Sequence, residues 1–204
     1  TAIYAAIQNA LDAAIVNLQA GSGRPLSGSE LYADGNPIVW TQVAYTLKAR
    51  FYMHTKQYAE AYTAAQNGIN SASNSLYAPA GTAADNSNLN YQFFAVETRQ
   101  ADLVVSDFMA SLIQPGATNP IPANYRGNSK TDETARYNFY LTKTSVGIQP
   151  KTTTGIASQT APTPLVTYQE NLLILAEAGF RSQGFATGLD YLNEFRAFMN
   201  TGGY

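Results

Sequence analysis

Along the first twenty residues, the apolar positions Ile7, Leu11, Ala14, Ile15 and Leu18 follow one another at steps of four, three, one and three. That is the spacing of one face of an α-helix. The pattern stops at Gly21-Ser22-Gly23-Arg24-Pro25, a cluster of helix breakers. After the turn-rich stretch YADGNP a second helix is predicted over 38–53. It starts near Pro37, which has no N–H to leave unpaired at a helix start. Trp40, Val43, Ala44, Leu47 and Phe51 form its apolar stripe; Tyr58, Ala61, Tyr62, Ala65 and Ile69 form that of a third helix over 58–70.

Residues 76–163 lack this regularity. They hold turn formers, scattered aromatics and one helical pattern, 98–113, with Leu103, Val104, Phe108 and Leu112 on one side. NPIPANY reads as an extended loop, and RYNFYLTKTSVGI as a region of short strand segments. A connection this long inside a compact domain is usually functional or disordered, and its aromatics favour order.

Helical periodicity returns at Thr167. Thr167-Tyr168-Gln169-Glu170 fits a capping box, in which hydroxyl and carboxylate each take an orphan backbone N–H. Leu172, Leu175, Ala176 and Gly179 mark the buried face of a helix over 168–182. Gly184 ends it, and Leu189, Leu192 and Phe195 continue into a partner over 186–198.

The two helix pairs share one spacing. Tyr45, Ala49, Tyr52, Ala61, Ala65 and Gly68 recur at constant offset as Leu172, Ala176, Gly179, Gly188, Leu192 and Phe195. These match the positions where a tetratricopeptide unit packs helix on helix. A single unit cannot bury its apolar face, so such units stack. The expected fold is therefore mainly α. Tetratricopeptide-like helix pairs (1–75 and 164–204) form a scaffold with a common core, and 76–163 is a long, irregular, loop-rich insertion with one helix. We read residues 1–204 as a single domain and an internal portion of a longer chain, because the first residues already lie inside a helical pattern.

Composition narrows the functions. Charged residues are 13% of the chain, roughly half the usual share of about 25%. Fourteen Tyr and many Asn, Ser, Thr and Gln take their place, a texture that suits neutral, hydroxyl-rich ligands. A net charge of -2 with no Lys/Arg run disfavours nucleic acid, which needs a basic footprint. No apolar run approaches the roughly 20 residues of a membrane span. Cys is absent, excluding a disulfide framework, thiol catalysis and Cys-ligated zinc. The only His, His54, has no His or Cys partner for a metal site or a nucleophile triad.

Individual residues divide between scaffold and ligand. Trp40 sits on an apolar helical stripe and reads as core. Glu170 and Glu177 lie two helical turns apart, about 10 Å by helical rise, just beyond the usual inverting-glycosidase spacing. Arg50 and Arg181 close the first helix of each pair and suit ion pairs with carboxylates such as Glu177. DNSNLN (85–90) is rich in oxygen ligands but lacks the EF-hand pattern and its closing Glu. The remaining candidates are loop aromatics: Tyr77, Tyr91, Phe93, Tyr125 and Tyr137 as ligand-binding residues, with Phe94 and Tyr140 beside them. Aromatic faces pack on the C–H faces of sugar rings, and loops on rigid scaffolds are where binding residues concentrate. No cofactor is expected.

ELYADGNPIVWTQVAYTLKARFYM resembles a signature of the SusD/RagB family, a Gly/Asp loop leading to a Trp and a helix with Leu-Lys-x-Arg. TPLVTYQENLLILAEAGFRSQG followed by LDYLNEFRA resembles the family's other signature. RQADLVVSDFMASLIQPGATNPIPANY is similar to its middle segment, although NPIPANY lacks the acidic–basic pair of Asp-Pro-Arg-like relatives. The likeness spans most of the chain, with motifs in matching order. It implies a mostly helical, lipid-anchored outer-membrane protein of Bacteroidetes-type bacteria, its anchor on a segment ahead of residue 1. Such a protein captures glycans, or sometimes peptides, without catalysis and caps a SusC-like TonB-dependent transporter. The alternatives are a tetratricopeptide-type peptide-binding module and an all-helical glycosidase. The latter would have to draw on Asp85, Glu97, Asp132 and Glu133, the acids on the loops of the insertion, which show no recognisable spacing.

Overall fold

The structure is a computed structural model of the chain and describes residues 2–21, 28–96, 99, 102, 104–113 and 134–202. In chain order the elements are α1 (Ala2–Ala20), α2 (Pro37–His54), α3 (Tyr58–Ala65), a 3₁₀ turn (Ala72–Asn74), β1 (Leu76–Ala78), α4 (Leu89–Tyr91) and a π-turn (Gln92–Val96). There follow α5 (Asp107–Ile113), α6 (Thr134–Tyr140), β2 (Leu141–Thr144), β3 (Gly147–Pro150), β4 (Thr163–Val166), α7 (Tyr168–Gln183) and α8 (Phe185–Asn200). The fold is mainly helical, as the periodicity predicts. No helix among the described residues is long and apolar enough to cross a membrane. The chain divides into two compact units, Thr1–Tyr77 with Pro164–Tyr204, and Ala78–Thr163.

In the first unit α1 packs on α2, α2 on α3, α3 on α7, and α7 on α8. Short turns join α2 to α3 and α7 to α8, and the contact of α3 with α7 merges the two hairpins into one core. Ala49, Ala64, Ala65, Ile174 and Leu175 are buried there, with Tyr45, Tyr52, Tyr62 and Tyr191 packed around them. Small residues set the spacing. A Cβ added at Gly188 would lie 2.7 Å from the Ala176 carbonyl oxygen and 2.6 Å from the Phe180 Cβ, closer than real contacts allow. A second cluster, Val43, Ile69 and Val166, is flanked by Tyr32, Trp40, Leu47, Leu76 and Tyr168. β1 and β4 pair as a two-stranded sheet where the chain passes between units.

Local chemistry explains the helix ends. The Asn36 side chain accepts the Ile38 N–H (3.0 Å) with Pro37 at the first helical position, an N-cap with a pre-set backbone. The Thr167 hydroxyl accepts the Glu170 N–H (3.2 Å), but the expected capping box is only half formed. The Glu170 carboxylate turns to the guanidinium of Arg50 instead of back to Thr167.

The helix predicted over 58–70 stops at Ala65. Asn171 on α7 competes for its end, its Nδ2 donating to the carbonyls of Ala65 (2.9 Å) and Ile69 (3.0 Å). Thr46 Oγ1 accepts the Ile69 N–H (2.9 Å) and donates to Asn171 Oδ1 (3.1 Å). Buried polar atoms must be paired, and this network pairs them across α2, the 66–69 turn and α7. It leaves no room at Gly68, where a Cβ would lie 2.4 Å from Asn171 Oδ1 and 2.5 Å from Thr46 Oγ1.

In the second unit the one helix expected over 98–113 is shorter, α5 beginning at Asp107. The Val105 N–H is given to the Ile148 carbonyl (2.8 Å), so the chain is extended there rather than helical. Two further α segments, α4 and α6, join it. Strand segments were expected around RYNFYLTKTSVGI, but Arg136–Tyr140 is helical, and the strands follow as a hairpin with Leu141 opposite Pro150 and Thr144 opposite Gly147.

Candidate functional site

Asn88 anchors the aromatic part of the second unit. Its Oδ1 accepts the N–H groups of Asn90 (2.9 Å) and Tyr91 (3.3 Å), capping α4. Its Nδ2 donates to the carbonyls of Ala161 (2.8 Å) and Ile156 (3.3 Å). One buried amide thus holds the start of the Leu89–Val96 turn against the 156–161 loop. Gln92 Nε2 donates to the Ser87 carbonyl (2.7 Å), and Gln159 Nε2 to that of Thr82 (2.7 Å). The oxygen-rich DNSNLN stretch is occupied by these turn bonds. Among the described residues, no group of three His, Cys, Asp or Glu side chains could hold a metal ion.

On that anchored turn the paired phenylalanines separate. Phe94 is buried at 3% exposure, while Phe93 stays half-buried, set edge-on against Phe94 with ring centres 4.9 Å apart. The Arg99 guanidinium lies 5.3 Å from the Phe93 ring centre, and its Nε donates to Asp102 Oδ2 (2.7 Å). That distance is within cation–π reach. The turn presents an aromatic surface and nitrogen donors side by side.

The structure brings only part of the expected aromatic set together. Tyr91 and Phe93 share the Leu89–Val96 turn, both half-buried. Tyr137 is half-buried on α6, near Phe139 and Tyr140, whose rings meet edge-on at 5.0 Å. Tyr77 lies in β1, half-buried. Tyr125 and the NPIPANY loop are outside the described residues. Arg99 and Asn88 were missed. Asn88 had a readable signal, an Asn at the N-cap position two residues before Asn90 and three before Tyr91; Arg99 had none, since its partner ring lies six residues away.

The other chemistry-bearing residues serve the helical unit. Arg50 clamps Glu170 through two nitrogens, Nη2 standing 2.6 Å from Oε2 and 2.7 Å from the Leu165 carbonyl. The hydrogen bonds to Glu170 raise the guanidinium pKa, against the opposing effect of burial. Arg181 pairs with Glu177 (2.8 Å) and lies 4.7 Å from the Tyr58 ring centre. His54 ends α2, edge-on to Phe51 at 5.7 Å. Trp40 packs in the Val43 cluster with Tyr32 edge-on at 4.9 Å. Glu30 shapes the turn before it, accepting the N–H groups of Tyr32 (2.7 Å), Ala33 (2.7 Å) and Gly35 (3.0 Å). These bonds, the one from Gly35 foremost, hold its carboxyl below the usual range. Burial and then the Glu30 charge push the Tyr32 hydroxyl up to about 12.

The chain matches no protein-family model and no curated protein sequence.

Proposed function

We propose that this chain is a non-catalytic capture module for neutral glycans, of the SusD/RagB type. It would stand at the outer-membrane surface on a lipid anchor ahead of residue 1 and pass its ligand to a SusC-like TonB-dependent transporter. In this reading the hairpins α2–α3 and α7–α8 are tetratricopeptide-like units, and the aromatics of the second unit contact the sugar. The observation that carries it is the Phe93 platform, a half-buried ring propped on Phe94 beside the Arg99 donors. Sugar recognition uses that combination of an apolar face and adjacent hydrogen-bond donors. Engagement of Glu170 and Glu177 by arginines favours a binder over a glycosidase, whose acids must be free to exchange protons.

The packing of α3 on α7 favours a second reading, a tetratricopeptide-type module that binds a peptide in a helical groove. Calorimetric titration with neutral oligosaccharides, alongside a reducing-end assay, separates the readings. Saturable heat with at least one glycan and no new reducing ends is expected. Release of reducing ends points to a glycosidase; binding of peptides but of no glycan points to the interaction module.

A further inference from the structure

We propose that the cleft between α1, the first half of α2 and the 66–70 turn is a second binding site, for a neutral, hydroxyl-rich chain. The cleft encloses about 570 Å³, inside the range of roughly 300–1,000 Å³ for small-molecule sites. Among the described residues its polar lining is uncharged: Gln19, Thr41, Gln42, Gln66, Asn67 and Asn70. Leu18, Pro37 and Ile38 supply an apolar wall. Among the described residues no Asp, Glu, Lys or Arg lines it. An anion would find no cation here, and an ammonium group no carboxylate, so burying either would leave a charge unpaired. A neutral ligand meets no such cost.

Side-chain amides donate and accept in one plane, which suits neighbouring sugar hydroxyls that must do both. Gln42 is held in place from two sides. Its Nε2 donates to Asn70 Oδ1 (3.2 Å), and its Oε1 accepts from Asn74 Nδ2 (2.9 Å). The Asn70 Nδ2 protons and one proton of Gln42 Nε2 are left for a ligand. Gly68, also in the lining, is fixed by the buried Thr46–Asn171 network beneath it. The donors therefore stand on rigid backbone, which lowers the ordering cost of binding. A peptide fits less well, because the cleft has no charged clamp for either terminus.

The ligand class rests on the glycan reading above, whereas the location rests on the lining alone. The test titrates the chain with neutral gluco-, xylo- and manno-oligosaccharides, a hexagalacturonate and an uncharged peptide. Thr41→Phe fills the cleft without removing an internal side-chain bond, and Gln42→Ala removes an oriented amide. Each variant is melted, and exposed Gln19→Ala repeats the titration if Thr41→Phe melts early. Cleft variants are expected to weaken binding of one neutral oligosaccharide about ten-fold or more, with weak or no binding of hexagalacturonate. Phe93→Ala is expected to leave that event in place. If Phe93→Ala abolishes all sugar binding while the cleft variants bind like the parent, the cleft is overturned and glycan capture stands. A parent that binds no neutral oligosaccharide overturns both. Loss of peptide binding alone in Thr41→Phe overturns the ligand class.

Discussion

Asn171 shows how much one side chain does here. It is 2% exposed in the apolar stripe of α7, yet its amide serves two carbonyls and one hydroxyl. Asn171→Leu would keep the volume and strand the Ile69 carbonyl and the Thr46 hydroxyl proton, while the Ala65 carbonyl keeps the Gly68 N–H (2.9 Å). An unpaired buried group costs about 1–3 kcal/mol, so a clear drop in melting temperature is expected. Gly68→Ala attacks the same network from the other side, and the double variant should cost less than the sum because the two share partners. Parental melting of Asn171→Leu would show that the Ile69 carbonyl and the Thr46 hydroxyl find other partners. Sequence reading could not see this residue. Its partners Thr46, Ala65 and Ile69 all lie more than a hundred positions away, and an Asn between Glu170 and Leu172 resembles a surface residue. Glu30 gives a pH prediction. Its folded pKa is depressed, so its contribution is present above the unfolded value and is lost as pH falls through the folded one. Trp40 emission, reporting on the Tyr32–Trp40 contact, is expected to change on acidification from about pH 6 to about pH 3, and Glu30→Gln to lose that step. An unchanged transition in Glu30→Gln would assign it to another group.

At the scale of elements, what was legible was whatever short-range chemistry decides. Asn36-Pro37, Thr167 and Gly184 mark helix ends by rules that operate within four residues, and the structure places ends there. The end of α3 and the start of α5 were misread because distant groups, Asn171 and the Ile148 carbonyl, claim the backbone bonds that helix would have used. Side-chain periodicity carries no trace of such competition. It did find the faces. Ala61 is fully buried and Ala59 exposed on the same helix, so Ala61→Leu is expected to cost about 1–3 kcal/mol by overpacking. Ala59→Leu is expected to stay within about 0.5 kcal/mol. Equal chemical-denaturation midpoints for the two variants would mean that α3 packs through a different face.

For the whole molecule, the proposed glycan contact of the Phe93 platform and the core packing of Trp40 predict opposite phenotypes. Phe93→Ala should weaken the glycan-binding event of the second unit by roughly five- to thirty-fold, the effect of losing about 1–2 kcal/mol, with the helical circular-dichroism melt unchanged. Trp40→Ala should lower the melting temperature by opening the Val43–Ile69–Val166 cluster, with binding retained below the melt. Titration and melting of both variants check this, and the reverse pattern would remove the Phe93 platform from recognition. Mainly helical architecture was legible because four helices carry long, regular stripes. The second unit was far less so, since its order comes from single amides such as Asn88 reaching across the chain.

The pairing of β1 with β4 has a consequence for how such a chain can change. The helical unit releases the chain at Leu76–Tyr77 and receives it again at Pro164–Val166, on neighbouring strands. A few residues, each spanning about 3.3 Å, would close that gap, and closure entropy rises only slowly with loop length. The segment between can therefore be shortened, lengthened or exchanged at little thermodynamic cost to the helices, making the paired strands a socket through which one scaffold can acquire new ligand preferences.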